Sequence, residues 1–223
     1  MMERNINIEE ITDGKRYGLN DLVRVGCNDC QGCSACCRGM GNSIVLDPYD
    51  CYRLTTELNL TMEQLLTDKL ELNVVDGVIL PNLKMSVEND ACAFLNDEGR
   101  CSIHVSRPGI CRIFPLGRLY ENGSFQYVHQ IYECKKENKT KVKVHKWIDT
   151  PMVKENESFI NEWHYFLKKV QGYLKTSKNE TTNRNLNLFI LNLFFLKPYD
   201  KELSFYEQYR ERMKAANQIL VFE

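Results

Sequence analysis

Cys27-Asn-Asp-Cys30-Gln-Gly-Cys33-Ser-Ala-Cys36-Cys37 carries a thiol at every third residue and ends on a doublet. A two-residue gap lets two thiolates approach one metal centre from a tight turn. The small residues Gly32, Ser34 and Ala35 leave room for the backbone to wrap it. Neighbouring cysteines such as Cys36 and Cys37 do not easily bridge each other, so the run reads as a metal-binding loop before it reads as a source of disulfides.

Four further cysteines follow in the same half of the chain. Cys92 and Cys101 flank an expected Asn-Asp-Glu-Gly turn, Cys111 follows Pro108, which is placed to open a short helix, and Cys134 lies beyond a second hairpin. The chain has 10 cysteines in 223 residues and is 43% hydrophobic, enough apolar material to build a core without covalent staples. The charged start Met1-Met2-Glu3-Arg4 lacks the apolar stretch of a secretion signal, which points to a cytoplasmic protein whose thiols stay reduced. Cys51, placed on an expected helix one turn before Leu54, reads as a buried, inert thiol.

Setting aside Cys27 and Cys51 leaves eight thiols, enough for two four-thiolate sites or for one cluster beside an open site. Structural zinc usually takes two separated Cys-x-x-Cys pairs, whereas a compact run resembles the ligation of a [4Fe–4S] cluster, so spacing leaves zinc and iron both open. Arg38, Arg100, Arg107 and Arg112 are placed to offset the negative charge of such a set. His104 and His129 read by default as satisfied side chains rather than ligands.

The fold class expected is α+β: a cysteine-rich portion of short hairpins and helices over residues 1–150, packed with a helical extension over 151–223. Ser43 to Leu46 reads as a strand, and Asp47-Pro48 caps a helix running to about Leu58. Thr61-Met-Glu-Gln64 has capping-box spacing. Asp76-Gly77 and Asn122-Gly123 mark two hairpins. Phe159, Trp163, Phe166, Leu167, Val170 and Leu174 recur at helical spacing, as do Leu203, Tyr206, Tyr209, Met213 and Leu220, and both stripes read as core. The apolar run Leu186 to Leu196 is too short to span a bilayer and reads as a buried helix. A net charge of −1 gives no footprint for nucleic acid, and the lysines from Lys135 to Lys146 read as a solvated face.

The residues resemble the YkgJ-type Cys-x-x-Cys-x-x-Cys-Cys family, described as a candidate zinc- or iron-chelating domain and related to the flagellin lysine N-methylase FliB. The resemblance runs over Cys30-Gln-Gly-Cys33-Ser-Ala-Cys36-Cys37, Cys92-Ala-Phe-Leu, Gly99-Arg-Cys101-Ser-Ile-His104, Arg107-Pro-Gly-Ile-Cys111-Arg-Ile-Phe-Pro115 and Cys134. It implies metal association at Cys30, Cys33, Cys36, Cys37, Cys92, Cys101, Cys111 and Cys134. In the methylase relatives it implies an iron–sulfur centre, S-adenosylmethionine as methyl donor and a protein substrate such as flagellin. Cys27 is additional to the motif, and no Gly-x-Gly-x-x-Gly turn marks a donor site. The alternative expectation is a structural zinc module for protein interaction, or a metal storage or delivery protein, without catalysis.

Overall fold

The computed structural model describes residues 8–28, 30–31 and 33–219. A short helix α1 (Ile8–Ile11) precedes strand β1 (Leu22–Gly26), and the cysteine run then closes in a single 3-10 turn (Ala35–Cys37). Helices α2 (Pro48–Leu58) and α3 (Met62–Asp68) lead into the hairpin of β2 (Leu70–Val75) and β3 (Val78–Leu83). After a long loop come α4 (Gly109–Ile113), the hairpin of β4 (Leu116–Glu121) and β5 (Ser124–His129), then β6 (Thr140–Lys143) and α5 (Val144–Ile148). The remainder is helical: α6 (Val153–Thr176), α7 (Glu180–Leu191) with a π-helical continuation (Asn192–Leu196), and α8 (Phe205–Ile219).

Among the described residues the strands form three separate antiparallel pairs, β1 with β6, β2 with β3 and β4 with β5, so the α+β class holds. Both hairpins turn where expected. Asp76 and Gly77, and likewise Asn122 and Gly123, all take positive φ, the twist a two-residue hairpin loop needs. The helix starts are equally local. The Asp47 side chain accepts from Asp50 N while Asp50 reaches back to the Asp47 N–H, and Thr61 and Gln64 do the same for α3.

One expected strand is absent. Ser43 to Leu46 lies along β3 with Leu46 N donating to Pro81 O and Leu83 N to Ile44 O, at 2.9 and 3.0 Å, yet it makes only the isolated bridge Val45↔Asn82. The reciprocal bond opposite Leu46 requires an N–H at Pro81, and proline has none.

The main core draws on both sides of Pro151. Leu46, Leu54, Leu65 and Leu80 pack in one cluster with Phe159, Trp163, Val170, Ile190, Phe194 and Tyr209. The stripe of α6 is buried from Phe159 to Val170 as its period predicts, with Leu174 only partly buried, and α7 buries Leu186, Ile190 and Leu191, followed by Phe194 and Phe195 in the continuation. In α8, Tyr206, Tyr209 and Met213 are buried, but Leu203 precedes the helix and is 55% exposed, and Leu220 lies outside the described residues. Two polar joints hold the layers in register. Asn187 of α7 accepts from Ile79 N at 2.7 Å and donates to Gly77 O at 3.1 Å, clamping the β2–β3 turn. Arg212 of α8 donates to Leu193 O and Lys197 O at 2.8 Å, satisfying carbonyls that the end of a helix leaves open. Among the described residues no helix is long and apolar enough to cross a membrane.

Asp50 ties α2 to α4. It is 4% exposed, and its Oδ1 accepts from Gly109 N at 2.7 Å while Oδ2 accepts from Asp47 N at 3.1 Å. Asp50→Ala leaves both N–H groups unpaired and is expected to cost about 2–4 kcal/mol in a denaturant melt; a change below about 0.5 kcal/mol contradicts this joint. Burial, and then its neighbour's charge, holds the Asp47 carboxyl well above its usual range, and burial raises Asp50 as well. The folded chain therefore retains protons that the unfolded chain releases above about pH 4, so this pair's contribution to stability falls as pH rises. Asp47→Asn keeps the cap but removes the charge. Its stability relative to the parent is expected to improve from pH 5 to pH 8, and a pH-independent difference in urea midpoint contradicts the assignment.

Candidate metal centre

The loop from Cys27 to Cys37 is shaped by consecutive tight turns. Asn28 and Cys30 take left-handed backbone at φ 53° and 57°, Gln31 N donates to Asn28 O at 3.0 Å, and Cys33 N donates to Cys30 O at 3.1 Å. Cys37 N then donates to Ser34 O at 2.9 Å and closes the 3-10 turn. Each turn reverses the chain after a cysteine, so successive thiols stay together instead of spreading along a strand.

Backbone pairing brings the second group alongside. Cys92 N donates to Cys37 O at 2.8 Å and Gly39 N donates to Asp90 O at 2.9 Å, with a bridge between Arg38 and Ala91. The Asn-Asp-Glu-Gly turn forms as expected: Asn96 N donates to Arg100 O and Gly99 N to Asn96 O, both at 2.9 Å, which returns Cys101 beside Leu95. Cys111 sits on α4, started by Pro108 and pinned through Gly109 to Asp50.

The result is a cavity of about 310 Å³ lined by Cys30, Cys33, Cys36, Cys37, Cys92, Cys101 and Cys111. Seven of the eight expected thiols thus share one wall. Cys134 does not line it, although its neighbour Glu133 does. Cys27 stands next to the wall, its Sγ 3.7 Å from Cys30 Sγ. Cys51 is 2% exposed inside α2 and away from the cavity, as its helical position suggested. All ten cysteines are free thiols. Among the described residues no three His, Cys, Asp or Glu side chains are close enough to grip an ion as they stand.

The electrostatics favour neutral thiols until a cation arrives. Cys36 is pushed far above the ordinary thiol range by its hydrogen bond with Cys37 and by burial. Burial and the neighbouring Cys27 raise Cys30 to about 12, and burial raises Cys92, Cys101 and Cys111. Arg107 opposes the rise at Cys30, Cys36 and Cys101, and Arg100 at Cys101. Those two arginines line the cavity and fit the charge-offsetting role. Arg112 is instead engaged with backbone, donating to Asp149 O at 2.8 Å and to Val105 O, and Arg38 is exposed. His104 lines the cavity with Arg107 Nη1 at 2.9 Å from its Nδ1, whereas His129 is buried elsewhere, 3.6 Å from Asp13 Oδ2. A set of soft sulfur donors, crowded, desolvated and attended by cations, suits zinc or iron in a thiolate site.

The cavity continues beyond the thiols to side chains that the sequence did not mark as part of a site. Asp47, Asp50, Arg118, Gln130 and His164 line it, between apolar walls that include Trp147 and Trp163. Arg118 Nε is buried with no hydrogen-bond partner, and the guanidinium lies 5.6 Å from the Phe125 ring centre. His164 stacks on Tyr120 with ring centres 3.5 Å apart. Asp47 was legible only as a helix cap, and nothing in the spacing of Arg118 or His164 distinguishes them from other strand and helix residues.

A search of curated proteins and a search of solved structures returned no significant match. A family model described as "CxxCxxCC: Putative zinc- or iron-chelating domain" matches residues 29–141, just over half of the chain and the whole span from Cys30 to Cys134. The chain belongs to the CxxCxxCC family.

Proposed function

We propose that this protein chelates zinc or iron through thiolates drawn from Cys30, Cys33, Cys36, Cys37, Cys92, Cys101, Cys111 and Cys134. The observation that carries the reading is the shared wall: seven of these thiols, contributed by three stretches of chain, line one cavity. In this reading residues 1–150 are the metal-binding portion and residues 151–223 a helical extension, whose helix α6 lines the cavity with Ile160, Trp163 and Leu167. The site belongs to a reducing compartment such as the cytoplasm, where the thiols stay available to metal.

Bound zinc with four thiolates would be a closed structural site, and iron would supply electron transfer or an open coordination position. What this chain's residues contribute is defined in either case. The turns at Cys30 and Cys33 gather donors, Arg100 and Arg107 temper the accumulated negative charge, and α6 supplies an apolar side of the cavity.

A second reading has its own support. A closed zinc module or a storage protein has no use for a cavity that runs past the thiols to Arg118, Asp47 and His164. The cavity favours a small organic ligand held beside the metal. S-adenosylmethionine is the candidate carried by the resemblance to flagellin lysine methylases, with a protein lysine as acceptor and a [4Fe–4S] cluster as the metal group.

Protein purified without oxygen and analysed for metal, sulfide and visible absorption separates these readings. Brown protein with about four irons and four sulfides per chain supports a cluster. Colourless protein with only zinc contradicts the cluster and favours the structural site, and protein without either metal overturns the proposal. Iron-loaded protein is expected to bind S-adenosylmethionine in a calorimetric titration if the methyl-transfer reading holds, and absence of binding removes it. Cys36→Ser and Cys37→Ser are each expected to lower metal content and to cost several kcal/mol in the metal-loaded protein, because metal-binding energy becomes folding energy. Unchanged metal content and melting temperature in both variants contradict the site.

A further inference from the structure

We infer that Cys27, in place of Cys134, completes the thiol set at the mouth of the cavity; the inference rests on the metal-chelating reading above. Cys27 lies two residues before the span that matches the family model, so family membership does not assign it. Its position is nevertheless built. Two sulfurs bound to one tetrahedral metal at about 2.3 Å stand about 3.8 Å apart. The Sγ atoms of Cys27 and Cys30 are 3.7 Å apart, the edge of such a tetrahedron.

The fold holds this spacing from both sides. Upstream, β1 ends at Gly26, paired with Thr140 of β6 after a register shift. A side chain at Gly26 would collide with Thr140 Oγ1 and stand 3.2 Å from its carbonyl oxygen, so the strands approach closely here and fix where Cys27 leaves the sheet. Downstream, Asn28 takes left-handed backbone and its Nδ2 donates to Gln31 Oε1 at 2.8 Å, closing the turn between the two cysteines. Cys27-x-x-Cys30 also repeats the two-residue gap of the following pairs. Neither Cys27 nor Cys134 lines the cavity, but Cys27 has a sulfur contact with the lining Cys30, whereas Cys134 has no such contact among the described residues and its carbonyl accepts from Lys139 Nζ at 3.1 Å in a lysine-rich segment.

The substitution gives the count a physical division. On metal binding, Cys27, Cys30, Cys33 and Cys36 would supply four thiolates from one loop, and Cys37, Cys92, Cys101 and Cys111 four more from three segments. Neither group needs Cys134.

The test uses the full chain loaded with zinc, comparing the parent with Cys27→Ala and Cys134→Ala by zinc content, by resistance to a chromogenic chelator, and by mapping iodoacetamide labels on the parent. Cys134→Ala is expected to match the parent. Cys27→Ala is expected to lose about one zinc per chain or to surrender it at roughly tenfold lower chelator concentration. In the loaded parent, Cys134 is expected to label readily and Cys27 only after zinc is stripped. Labelling of Cys27 in the loaded parent, full zinc retention by Cys27→Ala, or zinc loss by Cys134→Ala overturns the inference while leaving metal binding intact. A parent chain that takes up no zinc or iron overturns the underlying proposal instead. The labelling pattern is read on the parent, so a misfolded variant does not decide the outcome.

Discussion

Partly buried thiols that share one cavity wall resist ionisation unless a cation comes among them. The rest of this structure is arranged around that constraint. Burial and mutual proximity raise Cys30, Cys36, Cys92, Cys101 and Cys111 together, and each would resist ionisation more strongly once its neighbour had ionised. Arg100, Arg107 and Arg118 are the arginines that line the cavity, and a bound metal cation, as proposed, would supply further positive charge to the set.

The fold meets the constraint with very little regular structure at the site. Isolated bridges and single turns carry the cysteines: Cys37 beside Cys92, Cys101 returned beside Leu95, and Cys111 on one turn of helix held by Asp50. Such elements have few apolar contacts of their own and gain rigidity from what stands behind them. That backing is the shared core, in which α2, β3 and the long α6 meet, with Asn187 and Arg212 closing the backbone groups where the helical layers join. The helix that carries Cys111 is thus tied to the core through Asp50, whose carboxyl group touches the start of α2 on one side and the start of α4 on the other.

Features decided by local chemistry were legible in the sequence. Asp76-Gly77 and Asn122-Gly123 can turn a hairpin whatever surrounds them, Asp47 and Thr61 cap helices within four residues, and the α6 stripe declares its buried face by its period. Features decided by distant partners were not. Ser43 to Leu46 has the composition of a strand, and Pro81, opposite Leu46, denies the ladder its next bond on that side. Leu203 keeps the helical spacing of its stripe but falls before the helix begins. Arg118 and His164 enter the cavity because β4 and α6 happen to converge there, which no spacing within either element reveals. The cysteine set lies between these cases. Spacing identified the thiols as a group, yet the closeness of Cys27 to Cys30 and the separation of Cys134 from the cavity depend on how β1 and the segment after β5 run in three dimensions.

X-ray absorption at the metal edge of the loaded protein tests the central claim most directly, because it reports the donor atoms themselves. Thiolate coordination by this cysteine wall predicts a first shell of sulfur only, at about 2.3 Å. A shell dominated by oxygen or nitrogen at about 2.0–2.1 Å would contradict it and move the metal to other side chains.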